Sequence, residues 1–195
     1  MFAIALVLAL GGASAISPTE QATLTPIDVV PTTTQIDSVF GDHAGALAGL
    51  AALAQSGSAD VGVRVRSLHA LAGYCGGGPT GTECGSADPA HEALSQFISD
   101  NQDVIGSQVV MLRAAVEAIG PLRVQTDLAL LVPLLSHPSR DIRAATAHAL
   151  RDLCNTGAIV PLGTQYEHET TQQVQMAIED ALRVLKSTGT TSPCS

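Results

Sequence analysis

Apolar residues recur at intervals of three and four along much of the chain, and from His43 onward this period sorts the sequence into paired amphipathic segments. AGALAGLAALAQ predicts a helix of small side chains, SGSAD a turn with a capping Ser or Asp, and VGVRVRSLHALAGY a second helix. PAHEALSQFISDNQDVIGSQVVMLRAAVEAIGPL has the same helix–turn–helix plan. From Asp127 to Lys186 the plan appears twice more. In both copies an apolar helix containing proline (LLVPLL, then AIVPLG) leads through a polar turn into a longer amphipathic helix.

The units keep a register. Ala149-Leu150 recurs one unit later as Ala181-Leu182, one unit earlier as Ala118-Ile119, and again as Ala70-Leu71. The match extends outward, with VRVRSLHAL against IRAATAHAL, so that Val63, Arg64 and His69 align with Ile142, Arg143 and His148. Between Leu71 and Ile119 the spacing is about half a unit too long, and the excess falls in the loop between Cys75 and Cys84. A recurrence of this kind marks a stacked array in which no unit buries its apolar face alone. Residues 43–187 therefore form the repeat domain.

The flanks have a different texture. Residues 16–42 are rich in Thr and Pro and predict an extended linker, and residues 188–195 a short tail. Phe2 to Leu10 is a short apolar run followed by Ala13-Ser14-Ala15, the small-x-small form of a cleavage site, so residues 1–15 read as a signal peptide. The run is too short for a permanent membrane span, and it lacks the basic residue that ordinarily precedes such a segment. Export to the periplasm or beyond suits the four cysteines, which oxidising conditions would pair. Cys75 and Cys84 close a glycine-rich loop, while Cys154 ends a helix and Cys194 lies in the tail. The expected pairs are Cys75–Cys84 and Cys154–Cys194, because a link from Cys75 to Cys154 would span helix ends two units apart, beyond about 7 Å between Cα atoms. The tail tie also leads us to expect a chain complete at its C-terminus.

Composition narrows the function. The chain has 195 residues and a formal charge of −9, from 18 acids against 9 bases, and no Lys/Arg cluster that would neutralise phosphates, so nucleic acid is not an expected partner. It is 46% hydrophobic but only 3% aromatic, which suits a core of Ala, Leu and Val.

HPSRDIRAATAHAL, with Pro in the turn, the Ile142-Arg143 pair and an Ala-rich helix ending in Ala-Leu, resembles the short HEAT-like repeat, the kind also found in phycobilisome lyases. The resemblance covers residues 43–187 and departs in the second unit, where Met111-Leu112 stands for Ile-Arg. It implies an all-α, right-handed α-solenoid of about four helical hairpins, with the second helix of each unit lining a concave groove.

On a helical wheel Ile142, Ala145, Thr146, Ala149 and Leu153 share the face toward the preceding helix, and Arg143, Ala144, Ala147, His148 and Arg151 lie on the other side. Arg64, His69, Arg143, His148, Arg151 and Arg183 thus form a candidate binding strip, mildly basic on an acidic molecule and suited to a protein or peptide partner that carries carboxylates. Arg143 taken singly reads instead as a cap on carbonyls or a partner of an acid such as Asp141 or Asp152. His91-Glu92 and His168-Glu169 invite comparison with the His-Glu iron sites of the HEAT-like deoxyhypusine hydroxylases, but their register differs and both read as helix starts. No cofactor or metal is expected. GGGPTG lacks the lysine of a phosphate loop, and no G-x-S-x-G elbow is present. The expected function is a protein-interaction or scaffold module, with an enzyme or enzyme accessory in the groove as the alternative.

Overall fold

The computed structural model describes residues 16–25, 31–77, 84–187 and 194. The expected signal peptide, and all of the tail but Cys194, lie outside the described residues. Among those described the chain is all-helical, with α1 (Pro18–Thr23), α2 (Thr33–Phe40), α3 (His43–Gln55), α4 (Val61–Ala72), α5 (Pro89–Asn101), α6 (Val109–Ile119), α7 (Asp127–Leu131), α8 (Arg140–Leu153), α9 (Ile159–His168) and α10 (Gln172–Leu185). The pairs α3–α4, α5–α6, α7–α8 and α9–α10 are the four hairpins of an α-solenoid. The second helices stack directly, α4 on α6, α6 on α8 and α8 on α10, whereas the first helices touch one another far less along the stack. A layer whose members lie closer together than those of the facing layer is the inside of the bend.

Local chemistry sets the helix ends. Asp60 opens α4 by accepting from the backbone N–H of Gly62 at 2.8 Å, and Asp88 opens α5 by accepting from Ala90 at 2.9 Å, just ahead of Pro89. Arg123 and Cys154 end the second and third hairpins in the left-handed conformation, with φ of 57° and 56°. The two prolines behave differently. Pro161 falls in the first turn of α9, where its missing N–H leaves no bond unmade. Pro133 falls beyond the first turn of its helix, and α7 gives way there to a tighter 3₁₀ segment, Val132–Ser136.

The segment 16–42 is not the extended linker its composition predicts. It holds two short helices, each opened by a reciprocal cap: Ser17 with Glu20, and Thr32 with Gln35. Both pack on the first hairpin. Leu24 and Ile36 are buried, and the guanidinium of Arg66 donates to the carbonyls of Leu24 and Thr25. The hydroxyl of buried Tyr74 bonds Asp37 at 2.7 Å. Gly49 leaves room for the Phe40 ring, since a Cβ there would stand 2.1 Å from Phe40 Cε1.

The core follows the expected composition, with Leu50, Leu71, Leu94, Leu112, Ile119, Ile142, Leu150 and Ile178 out of contact with water. Burying a side chain of this size stabilises by about 2 kcal/mol. Small residues set the spacing between second helices. A Cβ on Gly120 would lie 2.6 Å from Ala149 Cα, so only glycine lets the end of the second hairpin approach α8 this closely. The helical wheel needs one correction. Ala144 and Ala147 are buried, not groove-lining, because α8 is covered by α6 on one flank and α10 on the other as well as by its own first helix. Ile142, Ala145, Thr146, Ala149 and Leu153 are buried as expected. Cys75 pairs with Cys84 and Cys154 with Cys194, with Cα separations of 5.1 and 5.3 Å.

Candidate protein-binding face

The second helices put one continuous face, formed by α4, α6, α8 and α10, on the inside of the bend. It carries most of the residues expected there, with a different charge character. His69 on α4 lies 3.8 Å from Glu117 on α6, which also receives a bond of 2.7 Å from Arg113. Arg151 on α8 donates to Asp152 at 2.8 Å and to Asp180 on α10 at 2.7 Å, and Asp180 is shared with Arg183. The two guanidinium groups, Arg151 first, hold the Asp180 carboxyl below its ordinary range. The expected basic strip is therefore a charge-balanced lattice whose acids, Glu117, Asp152 and Asp180, were not counted into it. Two of its pairs, His69–Glu117 and Arg151–Asp180, tie neighbouring second helices together.

His148 stands exposed in the middle of this face, 3.5 Å from Arg151. Beside it a cavity of about 530 Å³ is lined by His148, Gln172, Gln173, Met176 and Ala177. Met176 is 61% exposed, an uncommon state for a large apolar side chain on a helix that otherwise shows polar groups to water. A flexible thioether beside an imidazole and two amides offers adaptable contacts to a peptide chain.

Arg64 and Arg143 leave the strip and turn toward the hairpin loops. Arg64 Nε donates to the carbonyl of Ala54 at 3.2 Å, at the end of its own first helix. Arg143 donates to the carbonyls of His137 and Pro138 at 2.9 and 3.1 Å, and forms a two-pronged pair with Glu169 of the next hairpin. The capping role read for Arg143 is thus the observed one, with Glu169 in place of Asp141 or Asp152. The Arg143 guanidinium, together with the N–H of Thr171 and the amide of Gln165, holds the Glu169 carboxyl down at about 2.

Two histidines act structurally in ways their sequence positions did not announce. His137 accepts from the N–H of Ser139 through Nδ1 and donates from Nε2 to the carbonyl of Val104, 3.0 Å away in the preceding hairpin. Met111-Leu112 deprives that hairpin of its arginine, and His137 supplies the missing donor from the next. Val104, His137, Arg143 and Glu169 form a ladder along the loop edge. His91, expected only as a helix start, is 4% exposed and joins buried Asp127 at 2.8 and 3.0 Å, while its Nδ1 donates to the carbonyl of Ser86. Burial pushes the Asp127 carboxyl above its ordinary value against the opposing pull of His91. This pair bolts α5 to α7. Glu92 does sit in the first turn of α5, as expected.

Among the described residues no three or more His, Cys, Asp or Glu side chains gather as metal ligands, and no helix is long and apolar enough to cross a membrane. No curated protein matches the chain. The family model of HEAT repeats matches residues 106–183, from the turn before α6 into the last turn of α10. With the stacked hairpins and the turn-capping Arg143, that match supports HEAT-like repeats over residues 106–183.

Proposed function

We propose that the protein is a protein-binding module, and that its partner docks along the face of α4, α6, α8 and α10. The observation that carries this reading is the composition of that face. Its charges are paired laterally, and exposed His148 and Met176 stand beside a cavity of about 530 Å³. HEAT repeats are in general protein-interaction modules, which gives the class of partner. We further propose that the protein works in an oxidising compartment outside the cytoplasm, to which residues 1–15 direct it; the two disulfides support this.

Affinity capture from an extract of the producing cell's envelope tests the reading. Wild-type protein is compared with a His148→Glu/Met176→Glu variant and with Val160→Glu, a change at an exposed position of the first-helix layer. A partner retained by wild type and Val160→Glu but lost by the double variant supports the assignment. Equal retention by all three refutes it. Arg143 is not a suitable probe, since its replacement disturbs the fold.

A further inference from the structure

A second cavity, of about 450 Å³, brings the two disulfides together. Cys84 of one bridge and both Cys154 and Cys194 of the other line it, beside Leu122, Gln125 and Leu153. The bridges belong to different parts of the stack, the first to the loop between α4 and α5, the second to the end of α8. Within the first bridge the two sulfurs are not equivalent. Cys75 packs against the core, whereas Cys84 is half-buried and faces the cavity. Cys84 would stay there if its bond to Cys75 opened, because the chain just beyond it is anchored. The Ser86 carbonyl lies 3.2 Å from His91, and Asp88 accepts from the N–H groups of Ala90 and Gly76, both at 2.9 Å. Gly85, between Cys84 and these anchors, stands in open space: a Cβ on it would meet no atom of the described residues within 4 Å. The Cys84 thiol therefore has room to swing while remaining tethered.

A thiolate held beside a disulfide exchanges with it, and tethering raises its effective concentration there. We infer that the two bridges form one exchange-coupled redox site, with Cys84 as the sulfur that passes from the first bridge to the second. An incoming dithiol reduces Cys75–Cys84 and is itself oxidised to a disulfide. The freed Cys84 thiolate then attacks Cys154 Sγ. The Cys84–Cys154 bond forms, the Cys154–Cys194 bond breaks, and Cys194 leaves as a thiolate that takes a proton from water. Cys194 is the leaving sulfur because Cys154 ends α8, where the negative pole of the helix disfavours a thiolate. One dithiol thus opens the α4–α5 loop and releases the tail from α8. Cys194 lies 3.9 Å from the carbonyl of Arg151, whose side chain holds Asp180 on the proposed binding face. Reduction at the loop is thereby felt at the end of that face. This last consequence rests on the reading of the face as a protein-binding surface, whereas the exchange does not.

The full chain tests the exchange without a partner. Cys75→Ser leaves Cys84 as a single thiol beside the Cys154–Cys194 bridge, and Cys84→Ser leaves Cys75 instead. Both oxidised proteins are held dilute at about pH 8, where thiolate forms, then quenched with N-ethylmaleimide and mapped by peptide mass spectrometry. The expected result from Cys75→Ser is a Cys84–Cys154 peptide with alkylated Cys194, in about tenfold excess over any Cys75-linked product from Cys84→Ser. Wild type given one equivalent of dithiothreitol should yield the same Cys84–Cys154 species, and it decides alone if either variant fails to fold. Alkylated Cys84 beside an intact Cys154–Cys194 bridge overturns the proposal. So does Cys84 joined only to Cys194 or to a second chain, or equal exchange in the two variants. In those cases capture by wild type and its loss in the His148/Met176 variant would still uphold the binding face, so the two readings fail separately.

Discussion

Arg143 on α8 and Glu169 before α10 face each other through two hydrogen bonds, of 2.7 and 3.0 Å, with the carboxylate side chain only 2% exposed. The same guanidinium caps the turn of its own hairpin, so one side chain joins two repeats. Replacing Arg143 by Ala leaves a buried carboxylate without its cation and should cost about 3 kcal/mol. Lysine will not restore it, since a single ammonium cannot span Glu169 and two carbonyls. The pH dependence follows from the depressed acid. Glu169 moves from an ordinary 4.5 to about 2 on folding, so its contribution is present above 4.5 and is lost as pH falls from there toward 2. Chemical denaturation of wild type and Glu169→Gln between pH 2 and 6 should show the gap between them closing toward the acid end.

The His91–Asp127 pair carries a different expectation. Because burial raises the Asp127 carboxyl on folding, its favourable contribution is complete below the ordinary value of 3.8 and diminishes as pH rises through the folded value. Asp127→Asn removes the buried charge yet keeps a partner for His91 Nε2, since an amide N–H donates where the carboxylate accepted. Its stability should lie within about 1 kcal/mol of wild type at pH 7 and improve relative to wild type as pH rises from 4. Asp127→Ala leaves the imidazole nitrogen unsatisfied and should cost about 2 kcal/mol. Urea melts across that range measure both.

The disulfides differ in what they enclose. Cys75–Cys84 spans a sequence separation of 9 and Cys154–Cys194 one of 40. Loop entropy then assigns about 2.5 kcal/mol to the first and about 4 kcal/mol to the second. Thermal melts of Cys75→Ser/Cys84→Ser and Cys154→Ser/Cys194→Ser proteins should show the larger fall for the second pair.

The hairpins were legible because each repeats the same apolar period and ends on Ala-Leu or Ala-Ile, and the cysteine pairs because one glycine-rich loop and one tail left little choice. The helices of residues 18–40 were legible in principle. Ser17-Pro-Thr-Glu20 and Thr32-Thr-Thr-Gln35 are both capping-box signatures, and a Thr/Pro-rich composition masked them. Helix capping is local, so the order of residues outweighs their average. The charge lattice was only half visible. Lining up the bases by register found Arg151 and Arg183, but Asp180, which pairs with both, lies one helix beyond Arg151 and carries no repeat signature. His91 with Asp127, and His137 with Val104, join neighbouring hairpins at separations no local pattern reports. Such contacts follow from the stacking geometry.

The central claim is that the partner lies along the second-helix face. Site-specific photo-crosslinking tests it most directly, with a photoreactive side chain placed at position 148, 176 or 160 in cells making the oxidised protein. The account predicts one crosslinked species from positions 148 and 176, absent when the group is at position 160 of the first-helix layer. Crosslinks from position 160 with none from 148 and 176 would place the partner on the opposite layer and contradict it.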